Sequence, residues 1–198
     1  ELHGTSGLKP MTTYSLNGNY ILRQKYIFGL FFLHSTDYFA QTAYQSTERL
    51  ALIYKYTNWN YMQLAGANII LPLKSGNWLD SHLTLTGMRM RQRCDKFFDI
   101  PFNRKQWTFS AMLDNTFKIK QNLFFELMGH IQTPTIQGTF DIETFYNLTA
   151  GIKWNIAKDK ISLSLRCNDI FNTGNPNLKV RFKGQYLDMD NAYYSRAF

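Results

Sequence analysis

The amino-acid sequence alternates in twos over stretches longer than soluble strands need, and that period limits what the chain can fold into. From position 107 the odd residues read Trp107, Phe109, Ala111, Leu113, Asn115, Phe117 and Ile119. The even ones are Thr108, Ser110, Met112, Asp114, Thr116 and Lys118. A strand turns successive side chains to opposite faces, so this run has one dry face and one wet face. The same dyad returns three times. Leu123, Phe125, Leu127 and Ile131 alternate with Phe124, Glu126, Met128, His130 and Gln132. Tyr146, Leu148, Ala150, Ile152, Trp154 and Ile156 alternate with Asn147, Thr149, Gly151, Lys153 and Asn155. Ile161, Leu163, Leu165 and Cys167 alternate with Ser162, Ser164, Arg166 and Asn168. Soluble strands usually hold about 5–6 residues. Strands that cross a bilayer at a tilt need about 9–11. The runs have the second length.

The earlier part of the chain fits the same scheme with local departures. Tyr26 to Leu33 is apolar on both faces, which predicts a strand packed on its inner side as well. Even positions are apolar from Leu50 to Tyr56, odd ones from Tyr61 to Leu71, and this change of parity predicts a bulge around Thr57 to Asn60. No segment keeps apolar residues at helical spacing. The expected strands are about 12–21, 26–45, 49–72, 78–98, 105–118, 121–136, 142–156, 160–171, 178–188 and 192–198. The expected fold class is all-β, an antiparallel up-and-down meander of about ten long strands. It forms one segment, part or all of a transmembrane β-barrel. Short polar links near 22–25, 73–77, 118–121 and 156–160 are expected as periplasmic turns. Breaks near 46–48, 99–104, 137–141 and 172–177 are expected as external loops. Tyr20, Tyr26, Trp78, Phe117 and Trp154 flank the first set, and Tyr54, Tyr56, Trp59, Tyr61 and Trp107 lie toward the second. Two such bands are what two membrane interfaces attract.

Composition agrees. The 198 residues include 16 Phe, 12 Tyr and 4 Trp, with only 18% charged, against about 25% for ordinary soluble domains. Mean hydropathy is nonetheless −0.32, as an alternating surface requires. The net charge is +8, but Lys and Arg are scattered, which argues against a nucleic-acid partner. Cys94 and Cys167 are too few for a disulfide scaffold, and no CxxC pair suggests zinc. No secretory leader is evident, which predicts a mature or excised chain. No run of 18 apolar residues occurs, so a span would have to be made of strands.

No catalytic motif emerges, no cofactor is expected, and His3, His34, His82 and His130 are isolated in sequence. The wet positions carry Asp80, His82, Asp114, Glu126, His130 and Arg166, which would line one lumen. A barrel-rim acid–base site is one reading of them. A polar lumen with mutually paired charges is the preferred one. Arg89, Arg91 and Arg93 are two apart and share a face. They are candidates for contact with an anion or lipopolysaccharide, beside the plainer reading of a solvated strand extension.

Asn168-Asp169-Ile170-Phe171-Asn172, followed by Ser195-Arg196, resembles the penultimate and last strands of TonB-dependent receptors. More closely, it is similar to the outer-membrane β-barrel family of Bacteroidetes related to them. Gly7-Leu8-Lys9-Pro10, then Asn58, Gly66, Leu71-Pro72 and Trp78, resemble that family's order of motifs along nearly the whole chain. The resemblance implies a bacterial outer-membrane location and energy-coupled nutrient uptake by the parent protein. It also implies outer-membrane lipids, the rest of the barrel, a plug and an inner-membrane energy-coupling protein as partners. Family members carry a plug and earlier strands, and Arg196 stands where a terminal barrel signal has an apolar residue. The chain is therefore expected to be roughly the C-terminal half of a barrel. The competing reading is a soluble β-sandwich or small barrel serving as a surface ligand-binding module. It predicts the same period with the apolar face inside. An outer-membrane enzyme is a third and weaker reading.

Overall fold

The computed structural model describes residues 2–3, 5–46, 51–97, 100–156, 160–190 and 194–197. Thirteen strands and no helix occur among them. Six follow one another from the N-terminal side: β2 (Thr12–Leu22), β3 (Tyr26–Gln45), β4 (Leu52–Ser75), β5 (Leu79–Phe97), β6 (Ile100–Lys120) and β7 (Leu123–Gln132). With β10 (Phe145–Ile156) and β11 (Ile161–Cys167) they form one antiparallel meander. A hairpin of β8 (Thr135–Gln137) and β9 (Phe140–Ile142) interrupts it between β7 and β10. That hairpin joins β12 (Leu178–Phe182) and β13 (Gln185–Met189) in a separate sheet of order β13-β12-β9-β8. Short β1 (Leu2–His3) runs parallel to β4 at Tyr54 and Lys55. It takes the flank that β5 leaves free, because the β4–β5 ladder ends at Tyr61↔Arg93.

The hairpins step along the sheet. The β3–β4 ladder starts at Ile27↔Ile70, so Leu71 to Ser75 run past the β2–β3 turn. The β5–β6 ladder starts at Leu79↔Phe117, leaving Lys118 to Lys120 beyond it. The β7–β10 ladder starts at Leu123↔Trp154, leaving Asn155 and Ile156. A consistent stagger of this kind is the shear that tilts strands in a barrel. The β2–β3 turn is made by Arg23 and Gln24, both at positive φ (51° and 53°), which suits the twist of a tight hairpin.

Eight of the ten expected segments are strands of the meander, and the residues explain where their limits differ. The expected strand 105–118 begins instead at Ile100, and the loop expected at 99–104 is largely strand. Pro101 is tolerated there because it lies in the register break between Cys94↔Phe102 and Phe97↔Ile100. Segment 121–136 breaks after Gln132, where Pro134 cannot continue a central ladder, and resumes as β8. Segment 142–156 begins at Phe145, and 160–171 ends at Cys167, because Asp169 takes φ 44°. Segment 178–188 is two strands, reversed at Lys183-Gly184 with φ 48° and 72°. Of 192–198, Ala197 forms a bridge to Asn168; residues 192, 193 and 198 lie outside the described residues, as do 49, 50 and 98. The expected parity change in β4 is present, but as a break that skips one residue on each strand rather than as a bulge. Thr36↔Tyr61 and Tyr38↔Trp59 pair while Asp37 (φ 49°) and Asn60 between them do not. Asn60 instead bonds Asp95 through Nδ2 to Oδ2 (2.8 Å) and accepts the Asp95 amide at Oδ1 (2.7 Å).

The small sheet supplies the packed core. Trp59, Cys94, Phe97, Phe102 and Ala40 form one buried cluster against Phe182 of β12. The rings of Phe97, Phe102 and Phe182 lie 5.5–5.7 Å apart, and Trp59 is 5.4 Å from Phe102. Ala43, Phe140 and Val180 form a second cluster beside it. Cys94 and Cys167 are both free thiols.

Candidate functional site: two faces of a wall and an inward sheet

Register places the dry positions of all eight meander strands on one face. Leu16, Phe32, Ala65, Arg89 and Trp107 make one row across β2 to β6. From that row toward the tight turns the face is mainly apolar. One pleat the other way the row reads Tyr14, His34, Gln63, Arg91 and Lys105. The boundary is thus aligned across five strands. Large apolar side chains on this face are bare: Leu16 is 73% exposed, Leu30 69%, Phe109 55% and Leu165 70%. The ten steps from Trp107 to Phe117 span about 33 Å along the strand at about 3.3 Å each. At a typical barrel tilt of about 40° that is about 25 Å of membrane normal, the usual apolar height. Asn115, the polar residue in the dry run, is satisfied within the sheet. It accepts the Ser81 hydroxyl at 2.7 Å and donates to the Leu127 carbonyl at 3.4 Å.

The sandwich reading requires a second sheet over Phe109, Leu113 and Phe117. The small sheet packs on the other side. Thr108 Oγ1 donates to the Pro134 carbonyl (3.0 Å), and Gln92 Nε2 donates to that of Ile136 (3.3 Å). Gln92 Oε1 accepts the Gly138 amide at 2.9 Å. Arg104 donates to the carbonyls of Gly138 (2.8 Å) and Phe140 (3.3 Å) and pairs with Asp141. Its burial pulls the guanidinium pKa down, and Asp141 pushes it back up. Gln92 is 1% exposed, so its amide is desolvated and its partners fix it. Gly138 is required here. It sits at φ 55°, and a Cβ on it would meet the Gln41 carbonyl oxygen at 2.2 Å. Gln92, Arg104, Thr108 and Gly138 seat the small sheet on the polar face, a role that sequence reasoning did not assign to them. The available signal was parity: Gln92 and Arg104 fall on the wet face, opposite Arg89, Arg91 and Arg93.

All six predicted wet-face residues share one face of the sheet. Lys74, Asp80, Thr116, Glu126, Gly151 and Arg166 form a single row across β4 to β11. Lys74 Nζ is 3.0 Å from Asp80, and Arg166 reaches Glu126 at 3.0 Å. The second pair spans β10 across Gly151, which places no side chain between them. His82 lies 4.0 Å from Asp80 and directly opposite Asp114 on β6. His130 stands apart, its ring edge-on to Phe145 at 5.6 Å. Among the described residues no three His, Cys, Asp or Glu side chains could hold a metal ion.

Arg89 stands in the last row of the apolar face, and Arg91 and Arg93 lie beyond its boundary on the same face. Arg89 lies over Trp107 (5.9 Å), Arg91 over Tyr61 (5.5 Å), and Arg93 pairs with Asp95 (2.8 Å). Elsewhere, the motif Asn168–Asn172 clamps the end of the chain. Asp169 accepts the amides of Thr173 (3.1 Å) and Gly174 (2.7 Å) and the Ser195 hydroxyl. Asn172 Oδ1 accepts the Ser195 amide at 2.7 Å, and Asn168 and Ala197 exchange backbone bonds. At the other terminus Asn58 accepts the Lys9 amide at 2.7 Å and donates to its carbonyl at 3.0 Å.

Searches of curated proteins and of solved structures give no match. The model of one family, described as "Outer membrane protein beta-barrel family", matches residues 3–198. A staggered antiparallel meander, bare apolar residues ending at one aligned boundary and a polar opposite face are what a lipid-facing barrel wall requires. The chain accordingly belongs to the outer membrane protein β-barrel family and resides in the bacterial outer membrane.

Proposed function

We propose that this chain is wall of a solute-uptake barrel related to the TonB-dependent receptors of Bacteroidetes. The polar face lines the lumen, with Asp80, His82, Asp114, Glu126, His130 and Arg166 in the lining. Its role is passage and ligand contact rather than catalysis. The pairing of Asp80 with Lys74 and of Glu126 with Arg166 favours that reading over an acid–base site. Further strands of the parent barrel pair β2 and β11, which bond no partner on their outer edges among the described residues. A plug and an inner-membrane energy-coupling protein act through that parent.

The observation that carries this reading is the inward sheet. It lies on the polar face at the end away from the tight turns, where an open pore would be clear. Uptake past such an obstruction needs a driven rearrangement. The test is uptake by cells producing the parent protein, before and after the inner-membrane proton gradient is collapsed. Uptake should stop on collapse. Uptake that continues at the same rate in de-energised cells contradicts energy coupling.

A further inference from the structure

The apolar face has a groove directly beneath its arginines. Ala67, Gly87 and Phe109 form one row; Ile69, Leu85, Ala111 and Ile131 form the next. The small residues Ala67, Gly87 and Ala111 leave a shallow trough of about 430 Å³ walled by carbon. Arg89 stands one pleat above Gly87, about 7 Å along the strand. Arg91 follows one pleat further, with Lys105 opposite it on β6. Among the described residues neither Arg89, Arg91 nor Lys105 has a carboxylate partner, whereas Arg93 is held by Asp95. Trp107 and Tyr61 lie beneath the guanidinium groups and keep them at the boundary. The place is the edge of the apolar band away from the tight turns, which in such barrels is the outer leaflet.

We infer that this groove and cluster bind a phosphorylated glycolipid of the outer leaflet, of the lipid A class. A phosphate sits among Arg89, Arg91 and Lys105, where guanidinium groups bind two oxygens at once. One acyl chain lies along Ala67, Gly87 and Ala111. Apolar trough and cationic rim adjoin on one surface, which matches a lipid with an anionic head and is not needed by a bare strand extension. The inference depends on the outer-membrane location and not on the uptake reading.

The test is native mass spectrometry of the parent protein, extracted in detergent, with lipid A, with the same lipid after removal of its phosphates, and with phosphatidylglycerol. Lipid A should be retained, the dephosphorylated lipid should bind at least about tenfold more weakly, and added salt should weaken the former. In the triple variant Arg89→Gln, Arg91→Gln, Lys105→Gln, lipid A binding should fall on the order of a hundredfold, as for loss of three surface cations. Ala67→Leu should lower affinity for both lipids by filling the trough. Equal binding of phosphorylated and dephosphorylated lipid by the unaltered chain overturns the inference without recourse to any variant. So does phosphatidylglycerol binding as tightly as lipid A.

Discussion

Asp169 holds more of the chain in place than any other single carboxylate described. It is 5% exposed and takes a left-handed φ of 44°, which Asp tolerates better than most residues. Its three donors come from its own loop and from Ser195, 26 residues away. Asp169→Ala leaves the Thr173 and Gly174 amides without that acceptor, while the Ser195 hydroxyl keeps Asn172 Oδ1 at 3.2 Å, and should cost about 2–3 kcal/mol. Denaturant unfolding in detergent would measure it, and protease should cut near residue 195 before the sheet unfolds. Gly138 is the counterpart at the other sheet. Gly138→Ala meets both a positive φ and the Gln41 carbonyl, so the hairpin must leave its seat. Amide exchange at Ala43 reports this, because its N–H is held by Thr139 Oγ1 at 3.0 Å. Exchange should speed up at Ala43 while the β6–β7 ladder stays protected.

An element in this protein is a strand with two solvents. The faces of β6 differ so sharply that neighbouring residues should respond oppositely to the same substitution. Leu113→Arg puts a charge at mid-height of the apolar face and should destabilise the folded state by about 2–4 kcal/mol in a bilayer. Asp114→Arg lies on the wet face and should cost well under half of that. Equal losses at the two positions, measured by denaturant titration in lipid vesicles, would place both side chains in one environment and contradict the assigned faces. The extensions of β3 to β6 obey a different rule. There the wet face is covered, and aromatic packing replaces water. Phe102 sits in that cluster between Trp59, Phe97 and Phe182. Phe102→Ala should cost about 3–5 kcal/mol and release the small sheet, seen as loss of near-ultraviolet dichroism with strand content kept. Cys94, whose thiol pKa is raised by burial, belongs to the same cluster and should become reactive to maleimide in that variant.

At the scale of the whole molecule, a broad bare apolar face and a wet face are joined by one thin sheet, and such a body cannot be stable in water alone. The chain should aggregate in buffer and fold in detergent; a monodisperse monomer in plain buffer would be incompatible with the assigned surface. The period of two by itself determined that the chain is built of long strands rather than helices, which residues of a strand share a face, and that Thr57 to Asn60 interrupts the parity. It did so because alternation is a local property, set by the pleat and repeated along each strand. It also placed Asp80, His82, Asp114, Glu126, His130 and Arg166 on one side. Only the tertiary structure decided which of them meet. Arg166 reaches Glu126 through register and the bare backbone of Gly151, which links strands far apart in sequence. Only the tertiary structure, too, laid 135–142 and 178–189 on the polar face as a second sheet. The alternation in those segments is too short to specify a face. Their position is decided by Gln92, Arg104, Thr108 and Phe102, contacts summed over long loops that no local pattern encodes.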